Sequence, residues 1–398
     1  MNHPPELRLR KNEERRLRAG HLWIFSNEVD TKQTPLDQFS PGDQIQVTDY
    51  NGKFIGHGYI NPHSLICARL VSRDRRQPLN PTLLSQRFSQ ALNLRQRLFP
   101  DPCYRLVYGE SDALPGLVVD RFGTDLSVQI TTAGMEAQKE AIIAALEQTL
   151  APRSIILRND SPIRELEGLP LYTETALGEA PERLEISENG CRFQAPALSG
   201  QKTGWFYDHR LNRARASHYV KDQRVLDVFS YLGGWGIPAA VNGAREVICI
   251  DASAAALEQV KKNAALNQVG DRVTSLQGDA FEVLKTLREE RQRFDVILLD
   301  PPAFIKRRKD VKQGLEAYRR INQLAMQLLS RDGILVSASC SYHLERDRLQ
   351  QILLKTSRHL DRNLVLLEQG HQGPDHPVHP AIPESDYLKA FFCRVTPT

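Results

Sequence analysis

The chemistry available to this sequence is concentrated in a few carboxylates, one thiol and a glycine-rich turn. Asp227 lies inside the apolar run of Arg224-Val-Leu-Asp-Val-Phe-Ser-Tyr-Leu-Gly-Gly-Trp-Gly236, and Asp251 closes a second run, Glu246-Val-Ile-Cys-Ile-Asp251. The 24 residues from Asp227 to Asp251 are about the separation at which an acidic residue meets a ribose in doubly wound α/β folds. Gly233, Gly234 and Gly236 let the backbone turn sharply and approach a ligand. Ser230 and Tyr231 stand where a dinucleotide fingerprint would place its first glycines, which favours a nucleotide-type ligand without a pyrophosphate. Farther on, Asp300 opens Asp300-Pro-Pro-Ala-Phe304, where two prolines fix an extended turn and remove two amide donors. Cys340 sits in Ser339-Cys340-Ser341 at the end of another apolar run.

The elements around these residues predict how they are held. Residues 225–229 read as a buried parallel strand, residues 246–251 as its neighbour, and residues 273–280 as a third strand ending at Asp279 and Ala280. Residues 294–300 and 333–341 supply a fourth and a fifth. Ser253 is expected to cap a helix whose apolar stripe is Leu257, Val260 and Ala264. Ligands of such sheets lie beyond the carboxyl ends of the strands. That shared location favours a binding role for Asp227, Asp251 and Asp279, although a carboxylate at a strand end can equally cap the following helix.

S-adenosylmethionine has an adenosine and no phosphate, and so calls for a ribose carboxylate and a close glycine turn. The stretch 224–236 resembles the cofactor loop of class I S-adenosylmethionine-dependent methyltransferases. Together with Arg18-Ala-Gly-His-Leu-Trp-Ile-Phe-Ser26, Gly109-Glu-Ser-Asp-Ala-Leu-Pro-Gly-Leu117 and residues 376–389, it is similar to the cytosine-5 methyltransferases of large-subunit ribosomal RNA that carry an N-terminal PUA-like domain. The resemblance implies an α/β protein: a C-terminal Rossmann-like class I methyltransferase fold, an N-terminal small β-rich PUA-like domain and a central α/β domain. The expected boundaries are residues 1–72, 73–185 and 186–398. It implies cofactor contacts from Lys202, Thr203, Gly204 and Tyr207, and from Asp227, Phe229, Ser230, Gly233, Gly234, Asp251, Ala252, Asp279, Ala280 and Asp300. Pro301, Pro302 and Phe304 would grip the base, with Lys306 and Arg307 on phosphates. Ala303 departs from the lysine often found after the prolines.

On this resemblance Cys340 has a specific task. Cytosine C5 is too weak a nucleophile to take a methyl group directly, so a thiolate adds to C6 first. Asp300 would hold the ring and stabilise its developing charge. The base that removes the C5 proton is expected in residues 376–389, without a named residue. A purine-nitrogen methyltransferase would use the Asp-Pro-Pro turn without any thiol, and an RNA-binding assembly factor would use the fold as a scaffold alone. The other cysteines, 67, 103, 191, 249 and 393, are scattered and read as buried hydrophobes.

The chain of 398 residues, with 41% apolar and 25% charged side chains, has the make-up of a soluble multidomain protein. A formal net charge of +4 permits an RNA partner without demanding one. Arg8, Arg10, Lys11, Arg15, Arg16 and Arg18 form a basic cluster suited to phosphates or simply to solvent. No apolar run approaches the ~20 residues of a membrane span, and no cysteine pair has zinc spacing. His371, His376 and His379 lack a partner at ligand spacing, so no metal is expected. The expected partner is 23S ribosomal RNA, the location cytoplasmic, and the family resemblance implies a homodimer.

Overall fold

The computed structural model describes residues 4–398. It divides into two compact units: residues 4–184, 196–205 and 374–385 form the first, and residues 185–195, 206–373 and 386–398 the second.

The first unit contains two five-stranded sheets. In one, Glu6–Arg8, Gln44–Thr48, Phe54–Ile60, Ile66–Ser72 and Trp23–Phe25 lie side by side in that order. Short strands broken by the expected turns bury Ile24, Ile45, Val47, Ile60 and Leu70 in one core. In the other, the order is Tyr172–Gly178, Ser154–Asn159, Asp125–Ile130, Leu117–Phe122, Cys103–Tyr108. Helices Pro81–Leu98 and Lys139–Leu150 cover it. Asn80 starts the longer helix by accepting from the Leu83 amide at 2.9 Å, with Pro81 at the first position, where a missing N–H costs nothing. Residues 162–181, which the sequence suggests are a linker with a hairpin, instead supply the edge strand Tyr172–Gly178, paired antiparallel with Ser154–Asn159. The turn 109–117 owes its shape to Asp112, which takes both terminal nitrogens of the buried Arg95, at 2.6 and 2.7 Å, and the Tyr108 amide at 2.7 Å.

The second unit is built on seven strands: β1 Arg224–Val228, β2 Glu246–Asp251, β3 Val273–Gln277, β4 Phe294–Leu299, β5 Leu329–Ser339, β6 Arg362–Gly370 and β7 Lys389–Pro397. Their order is β3-β2-β1-β4-β5-β7-β6. β1 to β5 run parallel, and β7 is antiparallel to both β5 and β6. Helices α1 Gly236–Val241, α2 Ala254–Leu266, α3 Ala280–Glu289, α4 Val311–Leu328 and α5 Arg346–His359 connect or cover them. Val225, Leu226 and Val228 are fully buried, as a strand covered on both faces requires. Ser253 caps α2 through the Ala256 amide at 3.2 Å, as its position suggests. In α4 the buried positions Gly314, Tyr318, Ile321, Ala325 and Leu328 recur at helical spacing, one stripe against the sheet.

The strand order reverses between β1 and β4. In an open α/β sheet a crevice forms at that point, outside the carboxyl ends.

Candidate active site

The loop leaving β1 is strained where glycine is absent. Phe229 and Tyr231 have φ of +67° and +49°, a region that side-chain-bearing residues enter only when their surroundings impose it. Gly236 is needed for a reason internal to the protein. A Cβ there would lie 2.9 Å from Asp227 Oδ2 and 2.8 Å from Cys249 Sγ. The bare backbone lets the Gly236 amide donate to Asp227 Oδ2 at 2.8 Å. The other oxygen, Oδ1, is buried with no hydrogen-bond partner. Burial pushes the Asp227 carboxyl up to about 7, the Gly236 amide works against this, and Asp300 and Asp251 add repulsion. Asp251, half-buried at the end of β2, accepts from the Tyr231 and Ser253 amides, both at 2.9 Å.

Asp300 follows β4. Trp235 Nε1–H donates to its Oδ2 at 3.1 Å, and His209 Nε2 lies 3.2 Å from its Oδ1. Burial works to lower the His209 titration, but Asp300, helped by Asp208, raises it on balance. The carboxylate beside it therefore favours the imidazolium form of His209. The chain after the prolines packs closely on α4: a Cβ at Gly314 would lie 2.9 Å from the Phe304 carbonyl oxygen and would collide with Ile305.

The thiol is brought to this turn by a hydroxyl network. Ser341 Oγ accepts from the Ile305 amide at 3.2 Å and lies 2.9 Å from Tyr318 Oη. Ser339 Oγ donates to Tyr318 Oη at 2.8 Å and accepts from the Ser341 amide at 3.1 Å. Burial pushes the Tyr318 phenol up to about 12, so it stays protonated. Cys340 is half-buried between these serines, whereas the other five cysteines are buried. Next to the turn, Arg308, Val311, Leu315, Tyr342, His343, Glu345 and Arg348 line a cavity of about 480 Å³.

Residues 169–394 match the family model of S-adenosylmethionine-dependent methyltransferases, and residues 7–73 match that of a PUA-like domain. The chain belongs to the S-adenosylmethionine-dependent methyltransferases. It is 37% identical over 396 residues to a Salmonella arizonae protein named ribosomal RNA large subunit methyltransferase I, with 98% of each chain covered. A Citrobacter koseri protein of the same name is 36% identical over 392 residues, covering 97% of this chain and 98% of its own. Among solved structures, a methyltransferase complexed with SAH superposes with a TM-score of 0.83 at 20% identity, over 98% of this chain and 100% of its own; that likeness concerns the fold, which is the class I methyltransferase fold. The methyltransferase uses S-adenosylmethionine, and the residues at β1 and β2 fit such a ligand. Asp227 Oδ1 is an acceptor still in need of a donor, and Asp251 is half-buried beside the strained loop.

The remaining sequence-derived candidates take varied positions in the methyltransferase. Thr203 is fully buried in the first unit, where its hydroxyl donates to Asp120 Oδ2. Asp120 also receives Arg105 through two bonds of 2.8 Å, which gives this carboxylate a structural role. Lys202 and Gly204 fall in the same unit, and Tyr207, fully buried, in the second. Asp279 caps α3, accepting from the Phe281 and Glu282 amides at 2.9 and 3.3 Å, and Ala280 is the first helical residue. Gly233 adopts φ of +84°, while Phe229 packs edge-on against Phe304. Ser230 is buried and Ala252 exposed; Gly234 follows Gly233 in the turn. Pro301 is buried, Pro302 exposed, and Phe304 sits against Phe281 and Tyr318. Lys306 and Arg307 are exposed. In the first unit Arg16 pairs with Glu28 at 2.7 Å, Arg18 with Asp49 at 2.6 Å and Arg8 with Glu6 at 3.0 Å, while Arg10 donates to the Val29 carbonyl and Arg15 to Asn12 Oδ1, both at 3.0 Å, so most of the basic cluster is engaged internally. His376 Nδ1 lies 3.1 Å from Asp375 Oδ1. Among the described residues no group of three His, Cys, Asp or Glu could hold a metal ion, and no helix is long and apolar enough to cross a membrane.

His209, Trp235, Tyr318 and Lys389 were missed by sequence reasoning. Tyr318 carried a signal, since it lies on the apolar stripe of α4 one position ahead of two arginines. Lys389 ends the stretch 376–389 in which the base is expected, but it was not named; it opens β7 and is buried.

Proposed function

We propose that this methyltransferase forms 5-methylcytosine in 23S ribosomal RNA through a covalent Cys340 adduct at C6. The observation that carries the reading is the pairing of the thiol turn with the Asp-Pro-Pro turn through Ile305, Ser341 and Tyr318. A thiol and a base-gripping carboxylate on adjacent strand ends are what addition to a pyrimidine ring needs. Relatives named for large-subunit ribosomal RNA methylation, alike over nearly the whole chain, support the choice of RNA, and such a substrate implies a cytoplasmic location. Asp227 and Asp251 would hold S-adenosylmethionine, with contacts from Phe229, Ser230, Gly233, Gly234, Ala252, Asp279 and Ala280. When bound, its sulfonium supplies an electrophilic methyl group.

Cys340 adds to C6, and the electron pair displaced from the ring double bond makes C5 nucleophilic. Asp300, backed by His209 and Trp235, holds the pyrimidine edge and stabilises the charge developing on the ring. Once C5 carries its new substituent, a base takes the C5 proton, the C5–H electron pair re-forms the C5–C6 double bond, and the C6–S bond breaks to release the Cys340 thiolate. The target base has to leave its stack or lie in a loop to reach the site. Arg308, Arg348, Tyr342 and His343 supply the cations and rings that a single strand would use beside it.

Nucleoside mass spectrometry of ribosomal RNA incubated with labelled S-adenosylmethionine tests this. Label in 5-methylcytosine that falls at least ~1000-fold in Cys340→Ser, the scale of a lost nucleophile, is the expected result. Label in a methylated purine, or undiminished transfer by the variant, overturns it. RNA binding without any label would point to an assembly factor.

A further inference from the structure

Lys389 opens β7 and is only 6% exposed, a costly place for an ammonium. Its register partner on β5 is Ser339, and its Nζ donates to the Ser341 carbonyl at 2.7 Å. These are the two residues that flank Cys340. The amine is thus fastened across the turn that carries the thiol. Burial is the main influence on its titration and brings it down to about 8; Asp386 and Cys340 oppose that, and Arg346 adds to it. The groups facing this turn are Asp386 ahead of β7, Arg346 at the start of α5, and Tyr318 on α4, which bonds to both serines.

We propose that Lys389 accepts the thiol proton of Cys340 and holds the thiolate as an ion pair. The inference rests on the covalent reading of Cys340. In this step the S–H bond breaks, its electron pair stays on sulfur, and the proton forms a bond to the neutral Nζ; no other reactant takes part. An ordinary thiol titrates at about 8.5, close enough to the buried amine for the transfer to be nearly balanced, and the charges created then stabilise each other. The same ammonium stabilises the thiolate when it departs from C6. The Ser341 bond alone would make Lys389 a prop for the strand end, and Lys389→Gln separates the two roles, because an amide can still donate to that carbonyl but carries no charge.

The test is the rate at which iodoacetamide alkylates Cys340 in the full-length protein, followed from mildly acidic to mildly alkaline pH by mass spectrometry of the Cys340 peptide. In the wild type the thiol is expected to react well below the ordinary thiol range. Lys389→Gln should move the midpoint up by about one pH unit, a ~10-fold loss of rate at neutral pH, and Lys389→Arg should restore it. Superimposable profiles for wild type and Lys389→Gln overturn the proposal. The ultraviolet absorbance of the thiolate, taken as wild type minus Cys340→Ser, does not depend on the lysine variants folding. Absorbance rising early supports the ion pair, and a single step in the ordinary thiol range overturns it. Methyl transfer by Cys340→Ser distinguishes the two layers: transfer abolished with no effect of Lys389→Gln on alkylation sinks the ion pair alone, whereas transfer retained with the alkylation shift present sinks the covalent mechanism alone.

Discussion

Asp227→Asn should stabilise the methyltransferase without cofactor while weakening its hold on S-adenosylmethionine. Burial, with repulsion from Asp300 and Asp251, raises this carboxyl from 3.8 to about 7. A raised carboxyl keeps its proton longer in the folded state than in the unfolded one. Its contribution is therefore most favourable below 3.8 and is lost as the pH rises through about 7. Above that, both states are ionised, and the folded protein carries a cost of roughly 4 kcal/mol. Asparagine removes the charge and its carbonyl can still accept from the Gly236 amide, but its NH₂ inherits the unpartnered position, costing ~1–3 kcal/mol. The net gain at mildly alkaline pH is then about 1–3 kcal/mol, or a rise in Tm of about 3 °C or more. Thermal melts of wild type and variant, at acidic and alkaline pH and with or without S-adenosylmethionine, measure each part. The wild type should gain stability on acidification relative to the variant, and should be the one that S-adenosylmethionine stabilises strongly. A wild type more stable than Asp227→Asn at alkaline pH, or two melting curves that move in parallel with pH, would refute the reasoning.

Tyr318→Phe strips the hydroxyl that joins Ser339 to Ser341. Differential scanning calorimetry should show a loss of about 1–3 kcal/mol, and kcat should fall more than KM rises, since the thiol turn loosens. Replacing Arg308 and Arg348 by alanine together should reduce the slope of RNA affinity against salt concentration by ~1 for each phosphate no longer neutralised, read by filter binding, with the melting temperature little changed.

What could be read from sequence and what could not divide along physical lines. The parallel strands were legible because burial on both faces leaves an unbroken apolar run, and the Ser253 cap because capping is local. Asp227, Asp300 and Cys340 stood out as candidates by position, since ligands of such sheets lie beyond the carboxyl ends of the strands. Their supports were not. Trp235 reaches Asp300 across 65 positions of sequence, and no periodicity encodes such a partner. The glycine turn was expected to make room for a ligand, yet Gly236 makes room for Asp227 and Cys249. The half-buried Phe304, expected to grip the base, is held in place by Phe229 and Tyr318, which sequence spacing does not reveal. Lys389 was hidden by its own charge, because a lysine before an apolar run ordinarily marks where a strand meets water.

The division of the chain into units bears on how the protein is made. The polypeptide passes from one unit to the other five times, and residues 374–385 return to the first unit. There Asp375 accepts the Arg105 amide through Oδ2 at 3.1 Å, and its carbonyl accepts Arg95 at 3.0 Å. A ribosome making this chain thus releases an N-terminal unit whose buried Arg95 still lacks one of its acceptors, and the strand bearing Lys389 emerges later still. N-terminal domains commonly fold first during synthesis; here both units are completed by the same closing stretch, residues 374–398. Translation that halts before residue 374 leaves neither unit finished.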